Sequence, residues 1–154
     1  MVNVYEFVKP TKADAEYIAA NLRDDNRQEI ICAVGDNALS DILHGLAGSD
    51  EVGCLRINGK AAAIYGVQKA SVLSDDGLIW LLMTAETEQH KVFVGRHTKR
   101  VLQMILQRYS KVYNWCDAGN ENILKWLRWL GAKMEGPIPH GVYGVPHYYF
   151  EFVR

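Results

Sequence analysis

Basic side chains crowd one stretch of the chain: Lys91, Arg96, His97, Lys99, Arg100, Arg108 and Lys111. Charge-assisted hydrogen bonds make such a stretch suited to phosphate groups, whether on a small ligand or a nucleic-acid backbone. A solvated helix face is the plainer alternative, since several of these residues lie opposite an apolar stripe. Tyr113, Trp115, Trp126 and Trp129 form an aromatic concentration that suits a partner surface or a core. The segment from His140 to Tyr149 holds Tyr143, His147 and Tyr148 among glycines, and reads as flexible, aromatic and polar. No Ser-His-Asp order, HExxH, Walker A or GxGxxG motif occurs. Cys32, Cys54 and Cys116 are odd in number, widely spaced and without CxxC. They read as reduced structural thiols, and no metal site is expected.

The elements that would carry these residues follow from periodicity and punctuation. Asn3 to Val8 reads as a strand, stopped at Pro10. Thr11 with Asp14 three residues on resembles a capping box, and Ala15, Ile18, Ala19 and Leu22 then share a helical face. A second helix is expected from about Asp25 to Val34. A third follows the cap residue Asn37, with Leu39, Ile42, Leu43 and Leu46 at helical spacing. Val52 to Ile57 and Lys60 to Val67, joined by Asn58 and Gly59, predict a hairpin with a type I′ turn. The continuous apolar run Leu78 to Thr84 predicts a central strand buried on both faces. A long helix over Phe93 to Tyr109 comes next, then a strand over Lys111 to Cys116. Asn120 opens a helix that Gly131 closes, and short strands are expected at Lys133 to Glu135 and His147 to Val153.

The 154 residues, 49% hydrophobic and 23% charged with a formal net charge of -1, describe one ordinary mixed α/β domain over 1–154. Near-neutral charge makes nucleic acid an unlikely global partner. No apolar run reaches membrane-spanning length and no signal peptide is read at the N-terminus, so no membrane partner is expected.

The order strand, helices, three-strand meander, helix, strand, helix, two strands resembles the GNAT acyltransferase fold. Three segments add to the likeness. Val94, Gly95 and Arg96 resemble the end of the Q/R-x-x-G-x-G/A loop, with His90 at the Q/R position and Phe93 replacing the first glycine. Asn120 to Ala132 resembles the N-x-x-A-x-x-x-Y-x-x-x-G-F helix, with Asn120 and Gly131 in place and Leu127 where many members carry the tyrosine that protonates the departing thiolate. Leu78 to Thr84 holds no titratable base, but Glu86, Glu88 and His90 follow it. A narrower resemblance covers roughly residues 4 to 153. Arg23 to Ile30, Trp80 to Thr84, Phe93 to Arg100, Asn114 to Asn120, Trp126 with Leu127, and Leu130 to Ala132 look like the GNAT-like proteins of tailed bacteriophages, which include small internal virion proteins.

The resemblance implies a mixed sheet with a V-shaped split between central parallel strands and helices on both faces. It implies acetyl-CoA as ligand, with its pyrophosphate on the amides of Val94 to His97 at a helix N-terminus. Leu82, Met83, Val94, Gly95, Arg96, His97 and Asn120 are then the expected cofactor-binding residues. Glu86 and Glu88 are candidate bases, with a solvated acidic loop as the alternative. Tyr143 is the candidate proton donor that Leu127 cannot be; Tyr148 and Tyr149 are others, and a normal tyrosine pKa near 10 suits that role. The acceptor would be an amine on a small molecule or protein, and transfer would be direct within a ternary complex. The phage likeness implies a phage or host protein partner and a location in the host cytoplasm or virion interior. It also opens a second function: a non-catalytic virion or host-interaction protein on a degenerate GNAT fold, to which Phe93 and Leu127 point. Phe93 is expected to turn inward, near the apolar face of Val94, Val101 and Leu102.

Overall fold

The structure, a computed structural model, describes residues 2–27 and 37–154. Its centre is a seven-stranded sheet: β1 (Tyr5–Val8), β2 (Glu51–Ile57), β3 (Lys60–Lys69), β4 (Asp76–Met83), β5 (Lys111–Asp117), β6 (Lys133–His140) and β7 (Val145–Val153). The spatial order is β1-β2-β3-β4-β5-β7-β6, antiparallel throughout except for the parallel pair β4 and β5. α1 (Lys12–Ala20) and α2 (Ala38–Gly48) precede the meander; α3 (Lys91–Arg108) and α4 (Glu121–Leu130) flank β5 in sequence.

Local chemistry sets most boundaries. The Thr11 hydroxyl accepts the Asp14 N–H at 3.3 Å while the Asp14 carboxylate accepts the Thr11 N–H at 2.9 Å, a complete capping box. Arg56 then donates twice to the same carboxylate, at 3.0 and 2.9 Å, tying α1 to β2 and holding the Asp14 pKa below its ordinary value. Asn37 and Asn120 each accept an N–H at 3.3 Å at the starts of α2 and α4. Gly131 ends α4 in the left-handed region at φ 100°. Asn58 and Gly59 have φ 52° and 82°, as a type I′ turn requires.

Two apolar clusters sandwich the sheet. Ala15, Ile18 and Ile42 of α1 and α2 pack on Cys54, Ala61 and Ile64. Val94, Leu102, Ile105, Leu124 and Leu127 of α3 and α4 pack on Leu55, Val67, Met83, Val112 and Phe152. This is the mixed fold with helices on both faces that the sequence implies.

Four expectations need correction or restriction. The second helix is described only in its first helical turn, 24–27; its remainder, and Cys32, lie outside the described residues. α3 starts at Lys91 rather than Phe93, and a 3-10 segment, Ala85–His90, runs directly into it. β6 extends five residues beyond Glu135, because β7 pairs with it as far as His140. β4 is central and packs against the clusters on both faces, Ile79 and Leu81 on one and Trp80 and Leu82 on the other, but Leu78 to Leu82 are half-buried rather than fully buried. The reason is that β5 pairs with it only from Asp76–Lys111 to Leu78–Tyr113 and then departs.

Candidate active site at the divergence of β4 and β5

The divergence begins at Asn114. Its side-chain amide donates to the Ile79 carbonyl at 2.6 Å, and its oxygen accepts the Trp115 N–H at 2.7 Å. A side chain thus stands where the next strand-to-strand bond would be, and the parallel ladder ends. The two strands are parallel and split, as expected from the crossover helix between them.

Strand pleat decides which backbone groups face the opening. Thr84 donates to Ala62 of β3 at 2.8 Å. Even-numbered residues of β4 therefore turn their N–H and C=O toward β3, and odd-numbered ones toward the departed β5. Leu82 therefore commits its backbone to the β3 side. Met83 does face the opening, but the segment after α1 has taken it. Its N–H donates to the Asn26 carboxamide at 2.9 Å, and its carbonyl accepts the Arg23 N–H at 3.0 Å. Leu22 adds a bridge to Thr84, and Asn26 is 2% exposed. Leu81, missed from the sequence, is the residue whose backbone turns to the open side beyond Asn114.

At the mouth of this opening lies a cleft of about 310 Å³ between the start of α3 and α4. Arg23, Lys91 and Lys125 bring positive charge to it, Met83 and Val94 form its floor, and Glu88 stands at its edge. The Arg23 side chain is 14% exposed, bonds Asp25 at 2.6 Å, and approaches Glu88 only to 3.8 Å. Its Nε is buried and has no hydrogen-bond partner among the described residues. Three cations, one of them a buried guanidinium with a donor to spare, fit the phosphates of a nucleotide-type ligand.

The expected ligand residues fare differently one by one. In an α-helix beginning at Lys91, the amides of Val94 to His97 bond to carbonyls four residues back. They cannot receive a pyrophosphate; only amides of the first helical turn lack such partners. Val94 contributes its side chain to the cleft instead. Gly95 is buried, and a Cβ there would meet the Trp129 ring of α4 at 3.2 Å, so its smallness serves helix packing. Arg96 is exposed. His97 points the other way, stacked on Phe7 of β1 with ring centroids 3.4 Å apart. Burial lowers its pKa to about 4, and nearby Arg100 adds to the shift. Asn120 caps the helix that walls the cleft. Phe93 turns toward the sheet and stacks on Tyr5, centroids 3.6 Å apart, leaving the cleft open.

Of the candidate catalytic groups, Glu88 reaches the cleft. Glu86 is half-buried on the same 3-10 segment and is not part of the cleft wall. Tyr143 sits in the β6–β7 turn, 65% exposed, and is not part of the cleft wall. Leu127 is buried in the core. Tyr149 bonds Glu151 at 3.1 Å, and burial raises its pKa, which weakens it as a donor. Two imidazoles of the segment from His140 to Tyr149, given no role from the sequence, also meet. His140 stacks on Trp115 at 4.2 Å and meets His147 at 5.4 Å. Burial, with His147 beside it, lowers the His140 pKa. His147 is 3% exposed, and its Nδ1 lies 2.6 Å from the Val145 carbonyl, so Nδ1 is the donor there. Their signal, a second histidine seven residues on, is too generic to read without the hairpin that pairs them.

No protein-family profile matches the chain, and no curated protein sequence matches it. Solved structures do. The crystal structure of Ard1 from Thermoplasma volcanium superposes with TM-score 0.75 at 12% identity, over 97% of both chains. The microcin C7 self-immunity acetyltransferase MccE, solved with acetyl-CoA and AMP, gives 0.70 at 15% identity, over 97% of this chain and 92% of that one. An acetyltransferase of the GNAT family from Streptococcus pneumoniae gives 0.66 at 14% identity, over 97% and 99%. The chain has the GNAT fold. Among the described residues no helix is long and apolar enough to cross a membrane, and no group of His, Cys, Asp or Glu is arranged to hold a metal ion. On this GNAT frame the cleft lies at the split of the two parallel strands, where Arg23, Lys91 and Lys125 converge.

Proposed function

We propose that the chain is an N-acyltransferase that takes its acyl group from acetyl-CoA. The observation that carries this reading is the cationic cleft of Arg23, Lys91 and Lys125 at the mouth of the β4–β5 split. The thioester would supply the activated acyl carbon. Lys91, Lys125 and Arg23 would hold its phosphates, and the Leu81 backbone would align the chain of the donor along β4. The acceptor nitrogen attacks the carbonyl carbon, the carbon–sulfur bond breaks, and the amine proton passes to a base. Glu88 is the carboxylate the structure brings to this cleft, and its distance of 3.8 Å from Arg23 leaves its oxygens able to accept.

A second reading has its own support. The Met83 N–H and C=O are both occupied by the chain's own Asn26 and Arg23, and helical bonding consumes the amides of Val94 to His97. Both features suit a GNAT fold kept as a non-catalytic scaffold. The bacteriophage setting, a virion or host-protein partner and a location in the host cytoplasm or virion interior rest on the sequence resemblance alone.

One experiment separates the two. A ligand that binds only the folded state at 100 times its Kd stabilises it by about 2.7 kcal/mol. Acetyl-CoA is expected to raise the melting temperature, and Lys91→Glu with Lys125→Glu to abolish the rise. Thiol release with a panel of amines then reports turnover. No melting shift at millimolar acetyl-CoA would overturn the enzyme reading.

A further inference from the structure

A second space lies beneath α3, against the same sheet face. It measures about 70 Å³ and is walled by Ala63, Ile79, Leu81, Thr98, Val101 and Ile105. Met83 and Val94 line both this cavity and the cationic cleft. The two spaces therefore share one flexible thioether and one isopropyl group in their walls.

The chemistry of the cavity selects its occupant. Its wall is mostly apolar; the one imidazole in it, His97, is stacked on Phe7, is uncharged at neutral pH, and offers one buried nitrogen, Nε2, without a hydrogen-bond partner among the described residues. Water gains little there, since an ordered water needs two to four polar partners. A water-sized group needs about 10–15 Å³ by the same measure, so the cavity holds a row of about five. An unbranched hydrocarbon tail meets both limits. Methionine is the side chain best able to swing aside for one, having three rotatable bonds and no branch.

We infer that the cavity beneath α3 receives the tail of a straight-chain acyl thioester, entered from the cleft past Met83 and Val94. This rests on the donor site proposed above and extends it: the preferred acyl group has about four to six carbons rather than two. The geometry is direct. A thioester aligned along β4 at Leu81 places its acyl carbon beside Met83, and the odd-numbered side chains Ile79, Leu81 and Met83 all face the cavity.

The test is a chain-length series on the unaltered protein: CoA, acetyl-CoA, butyryl-CoA and hexanoyl-CoA by calorimetry. Hexanoyl-CoA is expected to bind at least tenfold more tightly than acetyl-CoA. Ala63→Leu, which fills the cavity from β3 opposite Met83 and lies outside the cleft wall, is expected to erase that gain while acetyl-CoA still binds. Thr98→Met does the same from the helix side if Ala63→Leu does not fold. A flat series with CoA itself bound overturns the acyl cavity and leaves the donor cleft standing. A gain that survives both filling variants also overturns it, by placing the tail elsewhere. Failure of CoA and all its esters to bind overturns both.

Discussion

The two ends of the β4–β5 pair are built from neighbouring residues of the same strands, yet one is closed and the other open. At the closed end Asp76, Gly77 and Leu78 pair with Lys111, Val112 and Tyr113, and Lys111 lies 3.7 Å from Asp76 and 3.5 Å from Glu151. Gly77 lets the layers meet: a Cβ there would come within 2.7 Å of Val67 and 3.0 Å of the Tyr109 ring. Three residues further on, Asn114 replaces backbone pairing with a side-chain bond, and the segment 22–26 occupies Met83. The difference teaches that this fold makes its cleft by ending a ladder, not by removing core. The half-buried run Leu78 to Leu82 is the cost of that arrangement and the source of its binding surface.

The largest effect should come from forcing the closed end apart. Gly77→Leu is expected to destabilise the protein by about 3 kcal/mol, because neither Val67 nor Tyr109 has room to retreat. Urea denaturation measures it, and a cost under 1 kcal/mol would mean the closed end is less tightly packed than described. On the open side, Phe93→Gly removes the stack on Tyr5 and adds glycine's backbone entropy. Roughly 2–3 kcal/mol of stability should be lost. Because the ring lies away from the cleft, acetyl-CoA affinity should not improve, and a gain in affinity would contradict the placement of Phe93.

Asn114→Leu attacks the divergence itself. It strands the Ile79 carbonyl and should cost about 1–2 kcal/mol in the same denaturation experiment. Lys91→Glu should leave stability within about 0.5 kcal/mol, since the residue is exposed, but weaken acetyl-CoA binding about tenfold or more. Calorimetry reads it, and unchanged affinity would remove Lys91 from the site. The smallest effect is a pH dependence. His97 has a folded-state pKa of about 4 against 6.5 for the free side chain, so the unfolded chain binds its proton first. Its contribution is complete above pH 6.5, falls as pH drops, and levels off below about 4. His97→Leu should flatten that part of the stability profile, and an identical profile would show that the ring is hydrated.

Much of the frame was legible because its signals are local. Thr11 and Asp14, Asn58 and Gly59, and Asn120 and Gly131 each satisfy or terminate backbone within a few residues, so their types declare the structure. The candidate site was legible in part. Glu88, Met83 and Val94 do line the cleft, although Val94 does so through its side chain. Gly95 and His97 read as phosphate ligands from their place near a helix start, but that reading depends on where the first turn begins. With the helix starting at Lys91 instead of Phe93, those amides fall beyond the first turn and bond within the helix, and His97 stacks on Phe7.

By itself the sequence determined the order of elements, their caps and turns, the apolar face of each helix and the parallel relation of β4 and β5. These follow from periodicity and from short-range hydrogen bonding. Only the tertiary structure decided that Asn26 holds the Met83 amide 57 residues away, that Asn114 ends the ladder at Ile79, and that Gly95 makes room for Trp129. Those contacts join segments distant in the chain. Their partners are chosen by which surfaces packing brings together, a property of the whole sheet and its helices that no local run of residues contains.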